Sequence, residues 1–309
     1  MMAGMMAQHT AIGSQETTRV RGETVVQELR DPAQVRALLL PRRGYAAYAL
    51  GQLAPRLFPQ VQCWVAENAH GAGLVLYSGG GLGDALFMMG ATEAVEAILR
   101  LHRGPRQDFV TCEAAHLPVL ERYFNVPNHS LMARMVATRE SFEHPQLADR
   151  HLQVRRLSAA DAREVNRLYN TEGTPTYYTA THIGSSAYHG VYHDGRLVSV
   201  AGTHVVAPEE GVAVVGNVFT HPRYRGRGYG TLATGATTAA LLEHCQDVVL
   251  TVDPKNIPAV RAYWRLGYNE ICRLVEAPVT RRDWFGLGAA LTRTAAAWRG
   301  RSRRVEILR

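Results

Sequence analysis

The chain of 309 residues contains a single lysine, Lys255, only four cysteines, and no apolar run approaching the ~20 residues that span a bilayer. Each scarcity excludes something. With one lysine, the net charge of +7 rests almost wholly on arginine. Those arginines are not gathered with aromatics on one element, which argues against a nucleic-acid surface. Cys63, Cys112, Cys245 and Cys272 are scattered, without metal-type spacing or the density of a secreted scaffold. They read as buried free thiols in a reducing cytoplasm, and no metal site is expected. The first residues, Met1 to His9, lack the basic start and apolar core of a secretory leader, so the expected protein is cytoplasmic, without a membrane span.

What is present is sharper. Residues 218–230 read Val-Phe-Thr-His-Pro-Arg-Tyr-Arg-Gly-Arg-Gly-Tyr-Gly, an apolar strand followed by a proline turn and an arginine-glycine loop that runs into a helix. Gly226, Gly228 and Gly230 carry no Cβ, so backbone N–H groups can close on an anion. The helix that begins near Thr231 adds unpaired amides and the positive end of its dipole. Arg225 and Arg227 supply charge-assisted donors. The loop lacks the Gly-Lys-Ser/Thr ending of a nucleoside-triphosphate loop and the spacing of a dinucleotide site. A second block follows: a buried-strand pattern over Asp247–Asp253, then a helix from Asn256 through Tyr263 to Leu266, with Pro258 in its first turn and Gly267 at its end.

These two blocks, Arg225-x-x-Gly228-x-Gly230 and Asn256-x-x-Ala259-x-x-x-Tyr263 with Gly267-Tyr268, resemble the acyl-CoA loop and the asparagine–tyrosine signature of the GNAT superfamily of N-acyltransferases, nearest its glycine N-acyltransferase-like branch. The resemblance is specific over about residues 152–276 and only architectural over 25–140. It implies acetyl-CoA, or a related short acyl-CoA, as cosubstrate and a small-molecule amine or amino acid as acceptor, with direct attack in a ternary complex. It implies cofactor contacts through the main chain of Val218, Phe219 and Thr220. The loop Arg225, Gly226, Arg227, Gly228, Tyr229, Gly230 and Thr231 would hold the pyrophosphate, and Asn256 would contact the pantetheine arm or cap its helix. Tyr263 would be the general acid beside the thioester sulfur. The glutamate many relatives carry on the strand before the loop is missing from Val212–Thr220. His204 is the side-chain candidate for the base, with Asn217 as the orienter of a relaying water and Glu172 in reach of the amine. Lys255 stands beside Asn256 as a phosphate contact or a solvated turn residue. The rival reading is a non-catalytic acyl-CoA-binding sensor or interaction protein.

The element order occurs twice, and a 46% hydrophobic share suffices for two cores. Helical patterns near Pro32–Leu40 and Tyr45–Leu53 precede strands at Val61–Ala66 and Leu74–Ser78, a helix over Thr92–His102, a strand at Phe109–Cys112, a short helix near Leu117–Phe124 and a strand near Leu131–Val136. The second half starts a helix behind the capping Ser158. It continues with strands at Gly190–Tyr192, Leu197–His204 and Val212–Thr220, a helix over Thr231–His244, a strand at Val248–Val252, the Asn256–Leu266 helix and a strand near Ile271–Val275. The expected fold is α/β (α+β), with tandem GNAT-like modules, each a mixed, mostly antiparallel sheet flanked by helices. The divisions are a flexible tail over 1–24, a degenerate module without the CoA loop over 25–145, the catalytic domain over 150–280 and a basic amphipathic segment over 281–309. Gly79–Gly83 reads as a hairpin turn, the basic segment as a packing helix, and the protein as a monomer or homodimer.

Overall fold

A computed structural model of the chain describes residues 24–80, 83–146, 151–173, 177–283 and 305–308. The expected tail over 1–24 and most of the basic segment over 281–309 lie outside the described residues. The first half runs β1 (Thr24–Leu29), α1 (Pro32–Leu39), α2 (Ala47–Gly51), β2 (Val61–Asn68), β3 (Gly71–Gly80), β4 (Gly83–Gly90), α3 (Thr92–Leu101), β5 (Gln107–Cys112), α4 (Leu117–Tyr123), the two-residue β6 (Phe124–Asn125) and β7 (Ser130–Ala137). The second half repeats it as β8 (Leu152–Arg156), α5 (Ala162–Tyr169), α6 (Ala180–Ser185), β9 (His189–His193), β10 (Arg196–Ala207), β11 (Val212–Thr220), α7 (Tyr229–Leu242), β12 (Asp247–Val252), α8 (Ile257–Arg265) and β13 (Asn269–Arg281). β14 (Val305–Leu308) pairs with β1.

Local chemistry accounts for most of these boundaries. Asp31 caps α1 by accepting the Ala33 amide at 2.9 Å, with Pro32 in the first helical turn. Asp161 accepts the Ser158 amide at 2.7 Å in the capping box ahead of α5. Asp194 and Gly195, with φ of 49° and 75°, form the tight turn between β9 and β10. Gly79–Gly83 does join a hairpin, and Gly80 pairs with Gly83 across it. Five elements were not anticipated: the opening strands β1 and β8, the two-residue β6, the short helix α6, and β14, a strand where the basic segment was expected to be a packing helix. β1, β8 and α6 mix polar with apolar residues, so their apolar periodicity is faint.

Among the described residues the strands form one mixed, mostly antiparallel sheet of 14 strands: thirteen run in the order β14-β1-β2-β3-β4-β5-β13-β7-β12-β11-β10-β9-β8, and the short β6 pairs alongside β13 off this path. Within each half, one parallel pair flanks the crossover helix: β4 with β5 around α3, and β11 with β12 around α7. The closing strands are exchanged. β7, from the first half, pairs with β12, while β13, from the second half, pairs with β5, and the two meet in the middle. Two halves that follow one another in sequence are therefore interlocked in space.

The halves also share a core. Leu39, Leu50 and Leu53 from the α1–α2 region pack with Val205, Val212, Val214 and Val249 of the second half. Arg36 clamps Glu210 with two bonds of 2.7 and 2.6 Å, and Arg43 reaches Asp247 at 2.7 Å. No helix among the described residues is long and apolar enough to cross a membrane.

Candidate active site

The arginine-glycine loop is built as an anion cradle. Gly226 and Gly228 adopt φ of 76° and 82°, which any side chain would strain, and neither has an atom within 4 Å of where a Cβ would stand. Gly228 is the N-cap of α7, and that helix starts at Tyr229, two residues earlier than the sequence suggests. The N–H groups of residues 226–231 have no acceptor among the described residues. Six adjacent amides without a partner among the described residues thus stand at the positive end of a 14-residue helix, an arrangement suited to an anion.

β11 leads from this cradle into the sheet, and its pairing with β12 stops after three positions, at Val214 and Val249. Beyond that point the two strands diverge, and the β12-facing backbone edge of β11 from Val215 onward has no strand partner among the described residues. A bulge marks the divergence. Opposite β10, Val200 pairs with Phe219 while Gly202 pairs with Gly216, so β11 holds one extra residue. Asn217 absorbs it with φ of 54°, a left-handed conformation that asparagine tolerates better than most residues.

Asn217 is fixed in a polar knot. Its Oδ1 accepts from Tyr178 Oη at 2.9 Å and from His204 Nε2 at 3.0 Å, while its Nδ2 donates to Tyr188 Oη at 2.8 Å. Tyr169 donates its hydroxyl to the Asn217 carbonyl oxygen. Because an amide oxygen only accepts, His204 carries its proton on Nε2, and its Nδ1 accepts from Tyr48 Oη at 2.6 Å. Burial pushes the His204 pKa down, against the opposing Asn217 bond, so the ring stays neutral. Gly216 and Gly202 make the room: a Cβ on the first would strike the His204 ring and on the second the Tyr188 ring.

The knot forms one wall of a cavity of about 450 Å³ that lies against both halves of the chain. Tyr178, His182, His204 and Asn217 come from the second half, and Tyr48, Leu76 and Phe87 come from the first. This volume lies within the range of small-molecule sites. Tyr48, Tyr178, His182 and Tyr188 were missed in the sequence, where nothing local separates them from core aromatics.

The remaining sequence-derived residues fall in three places. Tyr263 is buried on α8 with its ring 6.0 Å from that of Tyr268, and burial pushes its pKa up to about 12, so its hydroxyl keeps its proton. Val218 packs at the edge of the same cluster. Asn256 caps α8 through the Ala259 amide at 3.3 Å, and Lys255 beside it is exposed. Arg225 turns back: its Nη2 pairs with Glu172 at 2.8 Å and its Nε donates to the Thr220 carbonyl at 3.1 Å, which ties the loop to the strand end. The Tyr229 ring is buried in the core, so only its main chain faces the cradle. Arg227 lies over the Tyr224 ring, Phe219 packs on Tyr169, and Thr220 Oγ1 bonds Ser199 Oγ at 2.7 Å.

The matching place in the first half is closed. β4 and β5 also part after three pairs, at Phe87 and Thr111. There, however, Tyr45 donates its hydroxyl to the Met88 carbonyl at 2.6 Å, and His116 Nε2 lies 2.9 Å from the Gly90 carbonyl. Only Ala91 separates β4 from α3, whose first turn carries Glu93, so there is neither loop nor cation.

Residues 153–268 match the model of the acetyltransferase (GNAT) family. No curated protein matches the chain. Among solved structures, a Drosophila protein is similar at a TM-score of 0.58 and 14% identity, over 82% of this chain and 98% of its own. A GCN5-related N-acetyltransferase from Sphaerobacter thermophilus is similar at 0.53 and 16% identity, over 84% and 95%. A second GCN5-related N-acetyltransferase, from Kribbella flavida, is similar at 0.51 and 18%, over 68% and 87%. At these identities the likeness is one of fold, and in the first two it extends over both halves of the chain.

Proposed function

We propose that the chain transfers an acetyl or other short acyl group from acyl-CoA to a primary amine of a small molecule, by direct attack within a ternary complex. The observation that carries this reading is the run of six unpartnered amides at the α7 N-terminus, continuous with the unpaired edge of the bulged strand β11. The cradle takes the pyrophosphate, and the main chain of Val218, Phe219 and Thr220 takes the pantetheine amides. The acyl group then reaches the divergence of β11 and β12, where the amine arrives from the cavity.

The amine attacks as the neutral base, and the tetrahedral oxyanion collapses as the carbon–sulfur bond breaks. The departing thiolate takes the Tyr263 proton. On the amine side, both His204 nitrogens are engaged, so the ring receives a proton through Tyr48: that hydroxyl takes the amine proton and passes its own to His204 Nδ1. Asn217 holds His204 in the tautomer that permits this transfer. The closed counterpart in the first half leaves one acyl-CoA site per chain. The test is thiol release from acetyl-CoA across a panel of amines, with calorimetric titration of CoA alongside. Amine-dependent thiol release with one CoA bound per chain is the expected result. CoA binding without thiol release for any amine would instead identify a sensor.

A further inference from the structure

Granted the acyl transfer proposed above, the walls of the cavity decide which amine it takes. Leu76 and Ser78 of β3 stand opposite Phe87 and Ala85 of β4, which in turn stand beside Thr111 and Phe109 of β5. Strand alternation sets these side chains on one face of the sheet, the face whose Leu76 and Phe87 pack with Leu50 and Leu53 of the α2 region. The cavity lies between that face, the His204 knot and α2, which contributes Tyr48, Ala49 and Gln52. It offers a ligand no free charge. Asp84 pairs with Gly79, so its side chain turns to the opposite face, beside Asp108. Glu276 does line the cavity, but its Oε1 stands 3.9 Å from Nη2 of Arg134, a fully buried guanidinium over the Tyr48 ring that balances it. No lysine or arginine is among the described lining residues, and burial lowers the pKa of both lining histidines, His182 and His204.

What the cavity does offer is rings and two unanswered polar atoms. Phe87, Phe109, Tyr48 and Tyr178 line it, and Phe109 is left 47% exposed. Gln52 Oε1 and Ser78 Oγ are buried, in residues 8% and 2% exposed, and neither has a hydrogen-bond partner among the described residues. A polar atom in that state is destabilising until a ligand or a water answers it. Gln52 follows Tyr48 by four positions, so the two side chains are neighbours on one face of α2, with Cβ atoms about 5–6 Å apart. The relay hydroxyl and the Gln52 amide therefore meet one ligand from adjacent helical turns. We propose that the acceptor is a primary amine carried on an aromatic ring whose far edge bears a hydroxyl. The amine faces the Tyr48–His204 pair, and the ring packs on Phe87 and Phe109, where ring-on-ring contact favours it over a chain. The far hydroxyl donates to Gln52 Oε1, which only accepts, and accepts from Ser78 Oγ. A second ammonium or a carboxylate at that end would be buried without a counter-ion.

The experiment compares phenylalkylamines of graded linker length with their para-hydroxyl counterparts. Para-aminomethyl and para-carboxyl analogues serve as charged controls, and n-alkylamines of equal carbon number replace the ring. Direct binding is measured by calorimetry on the full chain with CoA present, and turnover by thiol release from acetyl-CoA. The best hydroxylated amine is expected to bind at least about tenfold tighter than its plain match, with both charged analogues and the n-alkylamine weaker than the plain ring compound. The hydroxyl preference should collapse in Gln52→Leu and shrink in Ser78→Ala. Each of these removes a polar atom that has no partner to lose, and thermal unfolding confirms that the variants fold. Equal binding of hydroxylated and plain amines would overturn the proposal. So would tighter binding of a charged analogue or an n-alkylamine, or a hydroxyl preference unchanged in both folded variants. If every amine is acylated with the same kcat/KM, the hydroxyl site falls while the transferase reading stands. If the hydroxylated amine binds through Gln52 and no amine releases thiol, the hydroxyl site stands and acyl transfer falls.

Discussion

Gly228→Asp places a carboxylate where the cradle opens toward phosphate. Its φ of 82° costs an L-residue roughly 1 kcal/mol, and no neighbouring atom lies within 4 Å of the new Cβ, so the fold should survive with a small loss of thermal stability. The charge acts on binding. Two unit charges ~4 Å apart interact by about 1 kcal/mol in water and about 4 kcal/mol at the effective dielectric near a protein surface. The loop is exposed, so the lower half of that range applies, which corresponds to a loss of about tenfold to a hundredfold in CoA affinity. Gly228→Asn is the matched control, since it has the same shape and tolerates the same backbone but carries no charge. Calorimetry on both variants, with thermal unfolding as the check on folding, isolates the electrostatic part. Equal CoA affinity in the two variants, or wild-type affinity in a folded Gly228→Asp, would show that phosphate does not bind at the α7 N-terminus.

Tyr263→Phe keeps the ring packed on Tyr268 and deletes the proton donor, so kcat should fall by ~10²–10⁴-fold with acetyl-CoA affinity nearly intact. Wild-type turnover with chemistry rate-limiting would assign the residue to packing alone. Tyr48→Phe removes the hydroxyl between the cavity and His204 Nδ1, and kcat should drop by about tenfold or more while CoA binding is unchanged. A kcat–pH profile superimposable on wild type would make His204 purely structural. Burial, reinforced by Arg156, pushes His189 down to about 4. The unfolded chain therefore takes up this proton first as pH falls. The contribution is complete above about pH 6.5 and is lost between there and about pH 4, on the order of 3 kcal/mol. Asp161, held down to about 2 chiefly by Arg155, loses its contribution in a lower window, beginning below about pH 4. Urea unfolding at pH 7 and 5 checks this, since His189→Gln should flatten the dependence between them.

Much of the second half was legible because its signals are local. A loop of glycines and arginines between a strand and a helix, a cap such as Asn256, and a turn such as Asp194-Gly195 each act within a few residues, and the chain carries their chemistry in order. The repetition of element order was legible for the same reason, since apolar periodicity is a nearest-neighbour property. β1 and β8 escaped because short strands that mix polar and apolar residues show little of it. Arg225 was legible as a residue but not in its contacts: its pairing with Glu172 depends on where the segment after α5 comes to rest.

The sequence by itself determined the glycine-arginine loop ahead of α7, the order of most elements and the match of residues 153–268 to the GNAT family model, because those depend on backbone permissiveness, capping and period. Tertiary structure alone decided the exchange of β7 and β13, the closure of the first half by the Tyr45 hydroxyl, and the knot that joins Tyr48 to His204 and Asn217. Tyr48 and His204 lie 156 positions apart, and no local preference encodes their meeting. It follows from how two interlocked half-sheets bury a shared face, and from the need of each polar group caught there to find a partner.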